Sequence, residues 1–122
     1  MVNMTADDLT ILYEDNHVIV VLKPQNVPCC EDQTKDVDLL SLVKEYIRKK
    51  YDKKGNVYVG LVHRLDRVTG GVMVFAKSTK AASRLSEQMA SGDFEKKYLA
   101  VLTKRPPEDR AILRHYLKKN PV

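Results

Sequence analysis

Two short stretches near the start of the chain, Ile11-Leu12-Tyr13 and His17 to Leu22, are apolar and rich in β-branched or aromatic residues, and the turn-forming Glu14-Asp15-Asn16 lies between them. This pattern predicts two strands, or one bent strand, over Leu9 to Lys23. Lys23-Pro24 ends the pairing, because proline has no amide hydrogen and restricts the residue ahead of it. Gln25 to Asp36 then reads as a loop. From Val37 to Tyr51 the apolar residues Leu39, Val43, Tyr46, Ile47 and Tyr51 recur at helical intervals, with Asp36 or Asp38 available as a cap, so an amphipathic helix is expected. Its other face carries Lys44, Arg48 and Lys49, and the basic run continues through Lys50, Lys53 and Lys54. Such a face is either simply solvated or in contact with phosphates.

After the Gly55-Asn56 turn, Val57 to Val62 predicts a strand that delivers the chain to His63, and Gly71 to Ala76 a strand that leaves. Ser78 can cap a second helix running through Met89, with Ala82, Leu85 and Met89 on its apolar face and Gly92 as the stop. Phe94 to Thr103 alternates as a strand, with Phe94, Tyr98, Ala100 and Leu102 on one side. Arg105-Pro106-Pro107 ends it, and a short apolar patch from Ala111 to Leu117 follows. The order, roughly β-β-α-β-β-α-β and a fragment, predicts an α+β fold with a mixed, largely antiparallel sheet and helices.

Length and charge narrow this picture. With 122 residues and 43% hydrophobic content the chain has enough for one core and too little for two ordinary domains, so residues 1–122 read as a single domain. A net charge of +5 suits an anionic partner without demanding one. The chain does not open on a basic segment followed by an apolar stretch, and its longest apolar run, Val18 to Leu22, falls far short of a membrane span. A cytoplasmic protein with no membrane partner is the expectation. Cys29 and Cys30 are neighbours, without the gap of a zinc knuckle or a redox motif, and a bridge between them would strain the backbone, so free thiols are expected. His17, His63 and His115 are scattered without ligand spacing, which gives a metal site no support.

The chemistry concentrates between Leu61 and Lys77. Gly71, Ala76, Lys77 and Ser78 fall at the spacing of a phosphate-binding loop, but the intervening Val-Met-Val-Phe prefers an extended strand, whereas a phosphate cradle needs a pliable loop. Asp66, between Arg64 and Arg67, has no acidic neighbour with which to form a carboxylate pair. Flanking arginines favour its ionised form, which suits a nucleophile or a base. The plainer reading is a loop salt bridge to Arg64 or Arg67. Gly70-Gly71 after Thr69 permits a tight hairpin turn or close backbone approach in a pocket. Tyr98 is expected in the core by its strand position, or at a pocket edge where it can stack on a base.

Read together, His63-Arg64-Leu65-Asp66, two residues, Thr69, one residue and Gly71 resemble the signature of the RluA-type pseudouridine synthases, His-Arg-Leu-Asp-x-x-Thr-Ser-Gly, followed by an apolar strand ending in Ala-Lys, as Ala76-Lys77 do here. The stretch from Tyr13 to Pro24 is similar to that family's opening strand and Lys-Pro turn, and Phe94 to Leu102 is similar to its Lys-x-Tyr-x-Ala strand. The resemblance runs from about Leu9 to Leu102 and implies an isomerase of specific uridines in rRNA or tRNA, using neither metal nor organic cofactor. Asp66 would be the catalytic aspartate and Tyr98 would stack on the uracil. Arg64 would fill the space left by the flipped nucleotide, with His63 and Thr69 as further substrate-binding candidates and Arg67 and Lys97 as phosphate-contact candidates. An ionised carboxylate amid positive charge and a base that must leave its stack are consistent with this chemistry, and RNA phosphates would account for the basic excess.

Three departures accompany the resemblance. Gly70 replaces the serine of Thr-Ser-Gly, and Asn26 stands where the Lys-Pro-x-Gly turn has glycine, a mild change because asparagine tolerates left-handed backbone. The family's later Gly-Arg-x-His-Gln-Ile-Arg segment, and the basic residue that pairs with the aspartate, have no counterpart; Arg114-His115 is not a substitute. The expectation is therefore the N-terminal portion of a catalytic domain, a truncated pseudouridine synthase fold with no S4-type domain ahead of it. Such a chain would be inactive or nearly so alone, and its exposed sheet edges would invite self-association. Two alternatives are a non-catalytic RNA-binding module of the same fold and a small interaction domain with no RNA preference.

Overall fold

A computed structural model of the chain describes residues 3–121. After a single 3-10 turn at Ala6–Asp8, the chain forms β1 (Thr10–Glu14), β2 (Val18–Lys23), α1 (Leu39–Lys50), β3 (Gly60–Leu61), β4 (Gly71–Ala76) and α2 (Thr79–Ser91). All neighbouring strands are antiparallel, in the order β1-β2-β4-β3. The α+β class with an antiparallel sheet agrees with the alternation read from the sequence.

Inward and outward residues follow the two-residue period of a strand. Ile19, Val21 and Lys23 of β2 are buried on one face, as are Met73 and Phe75 of β4, and Leu39, Val43 and Ile47 of α1 pack against them in one core. β2 and β4 pair along their full length, from Val18 opposite Ala76 to Lys23 opposite Gly71. That pairing places the Lys23-Pro24 turn beside the loop that carries Asp66. Both helices are capped as their sequences suggest. Asp38, rather than Asp36, accepts from the Ser41 amide at 3.0 Å, and Ser78 accepts from the Ala81 amide at 3.1 Å. Gly92 ends α2 in the left-handed region, at φ 82°.

The expected strand from Phe94 to Thr103 does not form, and neither this segment nor the later apolar patch from Ala111 to Leu117 has regular structure. Tyr98, Leu99, Val101, Leu102, Ile112, Leu113, Tyr116 and Leu117 are all exposed. Alternating β-branched and aromatic residues describe a surface suited to a sheet, yet a strand exists only where a neighbour accepts its hydrogen bonds and covers one face. Among the described residues, no strand lies alongside this segment.

One polar cluster locks the far end of the sheet. The Glu14 carboxylate, only 7% exposed, accepts from Lys77 Nζ at 2.7 Å, Lys50 Nζ at 2.8 Å, Tyr51 Oη at 2.8 Å and Tyr46 Oη at 3.2 Å. It thereby ties the end of β1 to α1 and to the residue that follows β4. Burial alone would push this carboxyl up, but the bonds from Lys50, Lys77 and Tyr51 outweigh it and lower the pKa from 4.5 to about 2. A depressed folded-state value means stability that is full above pH 4.5 and lost as pH falls toward 2. Thermal unfolding between pH 6 and pH 2 should show the wild type losing on the order of 3 kcal/mol more than Glu14→Gln over that range. Parallel losses in the two proteins would contradict this role for Glu14.

Candidate active site

β3 is short for a specific reason. It pairs with β4 through Gly60 opposite Ala76 and Leu61 opposite Phe75, and then the chain turns away. The next free amide of β4, that of Val74, donates instead to Nε2 of His63 at 3.0 Å. A side chain thus completes the ladder that the backbone leaves. The imidazole is neutral at Nε2 to accept this bond, and its ring lies 5.7 Å from the Phe94 ring at a tilt of 58°.

Beyond His63, the loop carrying Asp66 is held by the segment that follows β2. Lys23 occupies a core-facing position yet carries a charge, and its side chain is just 1% exposed. Its ammonium has three hydrogens and meets three carbonyls: Val27 O at 2.6 Å, Arg67 O at 2.9 Å and Pro24 O at 3.0 Å. Burial lowers its pKa below the usual lysine value; the Cys29 and Asp66 side chains oppose that shift and Arg67 adds to it. The Arg67 carbonyl also accepts from the Asn26 amide at 2.7 Å, and Asn26 sits at φ 68°, the left-handed geometry expected where the family pattern has glycine. On the other side of Asp66, the Cys29 thiol donates to Leu65 O at 2.9 Å and accepts from Leu65 N at 3.2 Å. Gly70 lies so close to the Lys23-Pro24-Gln25 turn that a Cβ there would sit 3.2 Å from Lys23 O and from Cγ of Gln25. A side chain at this position would therefore press on the turn, so glycine in place of serine fits the contact.

Asp66 itself is exposed, and its carbonyl accepts from the Thr69 amide at 2.9 Å. Among the described residues its carboxylate forms no ion pair. Arg67 is paired elsewhere: its guanidinium donates to Asp36 at 2.9 Å, to Thr34 at 2.9 Å and to Asp32 at 3.1 Å. These bonds raise the Arg67 pKa, while Thr34 and Arg67 lower Asp32, and Arg67 lowers Asp36. A phosphate that used Arg67 would have to compete with two carboxylates.

A cleft of about 500 Å³ opens next to this loop. Its floor is the outward face of β4, Val72 and Val74, opposite the side on which α1 packs. One wall carries His63, Leu65, Thr69, Gly70 and Gly71, and the other is the segment from Phe94 to Leu99. Of the site candidates, His63, Thr69, Lys97 and Tyr98 line the cleft, whereas Asp66 stands in the loop between the lining residues Leu65 and Thr69, and Arg64 is exposed outside the wall. Tyr98 is 62% exposed, not in the core. Lys23, Cys29, Asp32 and Asp36 were not among the expected site residues. For Lys23 a signal existed, since the strand alternation of Ile19 and Val21 puts position 23 inside; contacts such as those of Cys29 have none in a single sequence.

The chain belongs to the RNA pseudouridylate synthase family, whose profile matches residues 17–122. It is 33% identical over 103 residues to an uncharacterised RNA pseudouridine synthase of Mycoplasma genitalium, an alignment spanning 82% of this chain and 32% of that protein. With the ribosomal large subunit pseudouridine synthase D of Xanthomonas campestris it shares 35% over 94 residues, 77% of this chain and 28% of the other. Among solved structures, human RNA pseudouridylate synthase domain containing 4 superposes with a TM-score of 0.61 at 27% identity, covering 72% of this chain and 33% of that one. The chain thus spans about a third or less of the length of these relatives.

The His63 arrangement carries its own pH dependence. Burial, with help from the nearby Lys96 charge, lowers the imidazole pKa below 6.5, and only the neutral ring can accept the bond from the Val74 amide. The neutral form is therefore favoured by folding, and its contribution is complete above pH 6.5 and lost as pH falls through the depressed value. Hydrogen exchange at the Val74 amide, corrected for intrinsic rate, should accelerate on acidification in the wild type and be fast at every pH in His63→Ala. An amide equally protected in both proteins would contradict the assigned bond.

Proposed function

We propose that this chain supplies the aspartate-bearing part of an RNA uridine isomerase, with Asp66 as the catalytic nucleophile or base and Tyr98 as the stacking partner of the extruded uracil. The observation that carries this reading is an exposed carboxylate, without an ion-pair partner among the described residues, in a loop anchored on both sides beside a cleft whose far wall bears Tyr98 and Lys97. At about 500 Å³ the cleft is within the usual range for small-molecule sites and has room for a pyrimidine. In the reaction the C1′–N1 bond of uridine breaks, the uracil turns, and C5 bonds to C1′. C5 gives up its proton and N1 gains one, so the atoms balance without a cofactor. Asp66 assists by attack or by proton abstraction, and the unstacked base is held by aromatic contact. Lys97, exposed at the cleft, supplies a phosphate contact, and Thr69 and His63 shape the wall against which the base lies. Arg64, which is exposed, enters the space the flipped nucleotide leaves in this reading.

The substrate is rRNA or tRNA, the former supported by the ribosomal large subunit synthase named above. The 122-residue chain by itself is expected to turn over little or nothing, because Tyr98 lies on an exposed segment that, among the described residues, no strand supports.

Tritium release from RNA labelled at uracil C5 tests the assignment in the full gene product. Asp66→Ala and Asp66→Asn should reduce release to background while RNA binding persists, and turnover retained in either variant would overturn the role of Asp66. Replacing Tyr98 with alanine should lower kcat/KM by about five- to 150-fold, the range expected for loss of one base–aromatic stack, with Tyr98→Phe retaining most of it. Equal effects of the two Tyr98 substitutions would argue against stacking.

A further inference from the structure

The segment between Lys23 and α1 touches the Asp66 loop on both sides of the carboxylate without reaching the cleft. Its Cys29 thiol bridges the N–H and the C=O of Leu65, at 3.2 and 2.9 Å, so that one side chain takes both backbone groups of the residue before Asp66. Its Asp32, Thr34 and Asp36 side chains hold the guanidinium of Arg67, the residue after Asp66, at 3.1, 2.9 and 2.9 Å. The segment is itself rigidly placed: the Leu39 and Leu40 amides donate to Pro28 O and Cys29 O at 2.8 and 2.9 Å, which joins it to the start of α1. Cys29 is buried against Met73 of β4, with the two sulfurs 3.5 Å apart. The Asp32 and Asp36 carboxylates are held ionised by Thr34 and Arg67.

We propose that this segment is a two-point clamp that positions Asp66, with Cys29 gripping the Leu65 peptide and Asp32 and Asp36 gripping the Arg67 side chain. Given the isomerase reading above, on which its kinetic consequence rests, Cys29, Asp32 and Asp36 are positioning residues that act through the backbone of Asp66. A carboxylate that must meet one sugar or base atom gains from a fixed backbone, since a displacement of about 1 Å can cost on the order of a hundredfold in rate. The charge pairing has a second effect. With Arg67 drawn to Asp32 and Asp36, its guanidinium is kept from collapsing onto Asp66, and the carboxylate stays open to substrate.

Two sets of variants separate a clamp from general stabilisation. Cys29→Ala removes the thiol, Cys29→Ser keeps a group that both donates and accepts, and Asp32→Asn with Asp36→Asn removes the charges on the surface, where unfolding is not at issue. In the full gene product, amide exchange at Leu65 should quicken about tenfold in Cys29→Ala, as for loss of one hydrogen bond, and return toward wild type in Cys29→Ser. The Asp66 amide order parameter should fall in Cys29→Ala and in the Asn pair, while exchange at Ile47 in α1 stays unchanged. Steady-state tritium release should show kcat lowered about tenfold or more at unchanged KM, with recovery in Cys29→Ser. Unchanged dynamics at Leu65 and Asp66, or equal loosening of Ile47, overturns the clamp, as does a rise in KM alone. If the wild type releases no tritium from uridine-containing RNA, the isomerase reading fails, whereas the exchange and relaxation measurements still decide the clamp.

Discussion

A lysine ammonium with no access to water must meet an acceptor with each of its three hydrogens, and Lys23 does so by drawing together Pro24 O, Val27 O and Arg67 O. The last of these is 44 residues distant in sequence and adjacent to Asp66. The end of β2, the loop after it and the loop that carries the carboxylate therefore form one unit. Truncating Lys23 would leave buried carbonyls unsatisfied as well as a void on the core face, so the site and the fold share this constraint. The close approach of Gly70 to the Lys23-Pro24-Gln25 turn and the left-handed turn at Asn26 follow from the same docking.

Electrostatics around the carboxylate divides into paired and open charges. Arg67, the nearest arginine in sequence, is neutralised by Asp32 and Asp36, and the buried ammonium of Lys23 is enclosed by carbonyls. Lys96 and Lys97 remain exposed among the residues that line the cleft. Under the proposed function, an RNA strand at the cleft would meet these open positive charges, which attract phosphate. Far from this cleft, the Glu14 cluster absorbs Lys50 and Lys77, so part of the basic surplus counted in the sequence is already used within the fold.

Local pattern made most of the fold legible. The strands Thr10–Glu14, Val18–Lys23 and Gly71–Ala76 and both helices fall where alternation, helical spacing and capping residues put them. Val57 to Val62 yields only Gly60–Leu61, because His63 takes over the ladder, and an imidazole substituting for a backbone carbonyl has no periodic signature. Phe94 to Thr103 has the composition of a strand but, among the described residues, no neighbour, and composition does not supply one. At the site, the stretch from His63 to Gly71 makes Asp66, His63 and Thr69 legible in the sequence. The partners of the residues flanking Asp66 have no local signature, because Cys29, Asp32 and Asp36 lie about 30 residues or more from Leu65 and Arg67 and meet them only after β2 and β4 pair. Arg67 illustrates the same point, since an arginine beside an aspartate in sequence turns out to serve two other carboxylates.

Under the proposed function, the cleft beside Asp66, between the loop and Tyr98, receives a uridine of an RNA strand. Titrating a short uridine-containing RNA into the isotopically labelled chain and following its amide signals tests this most directly. The account predicts shifts gathered on Leu65 to Val74 and on Phe94 to Leu99, weakening as salt is raised. Shifts confined to the basic face of α1, with Asp66 and Tyr98 undisturbed, would contradict it.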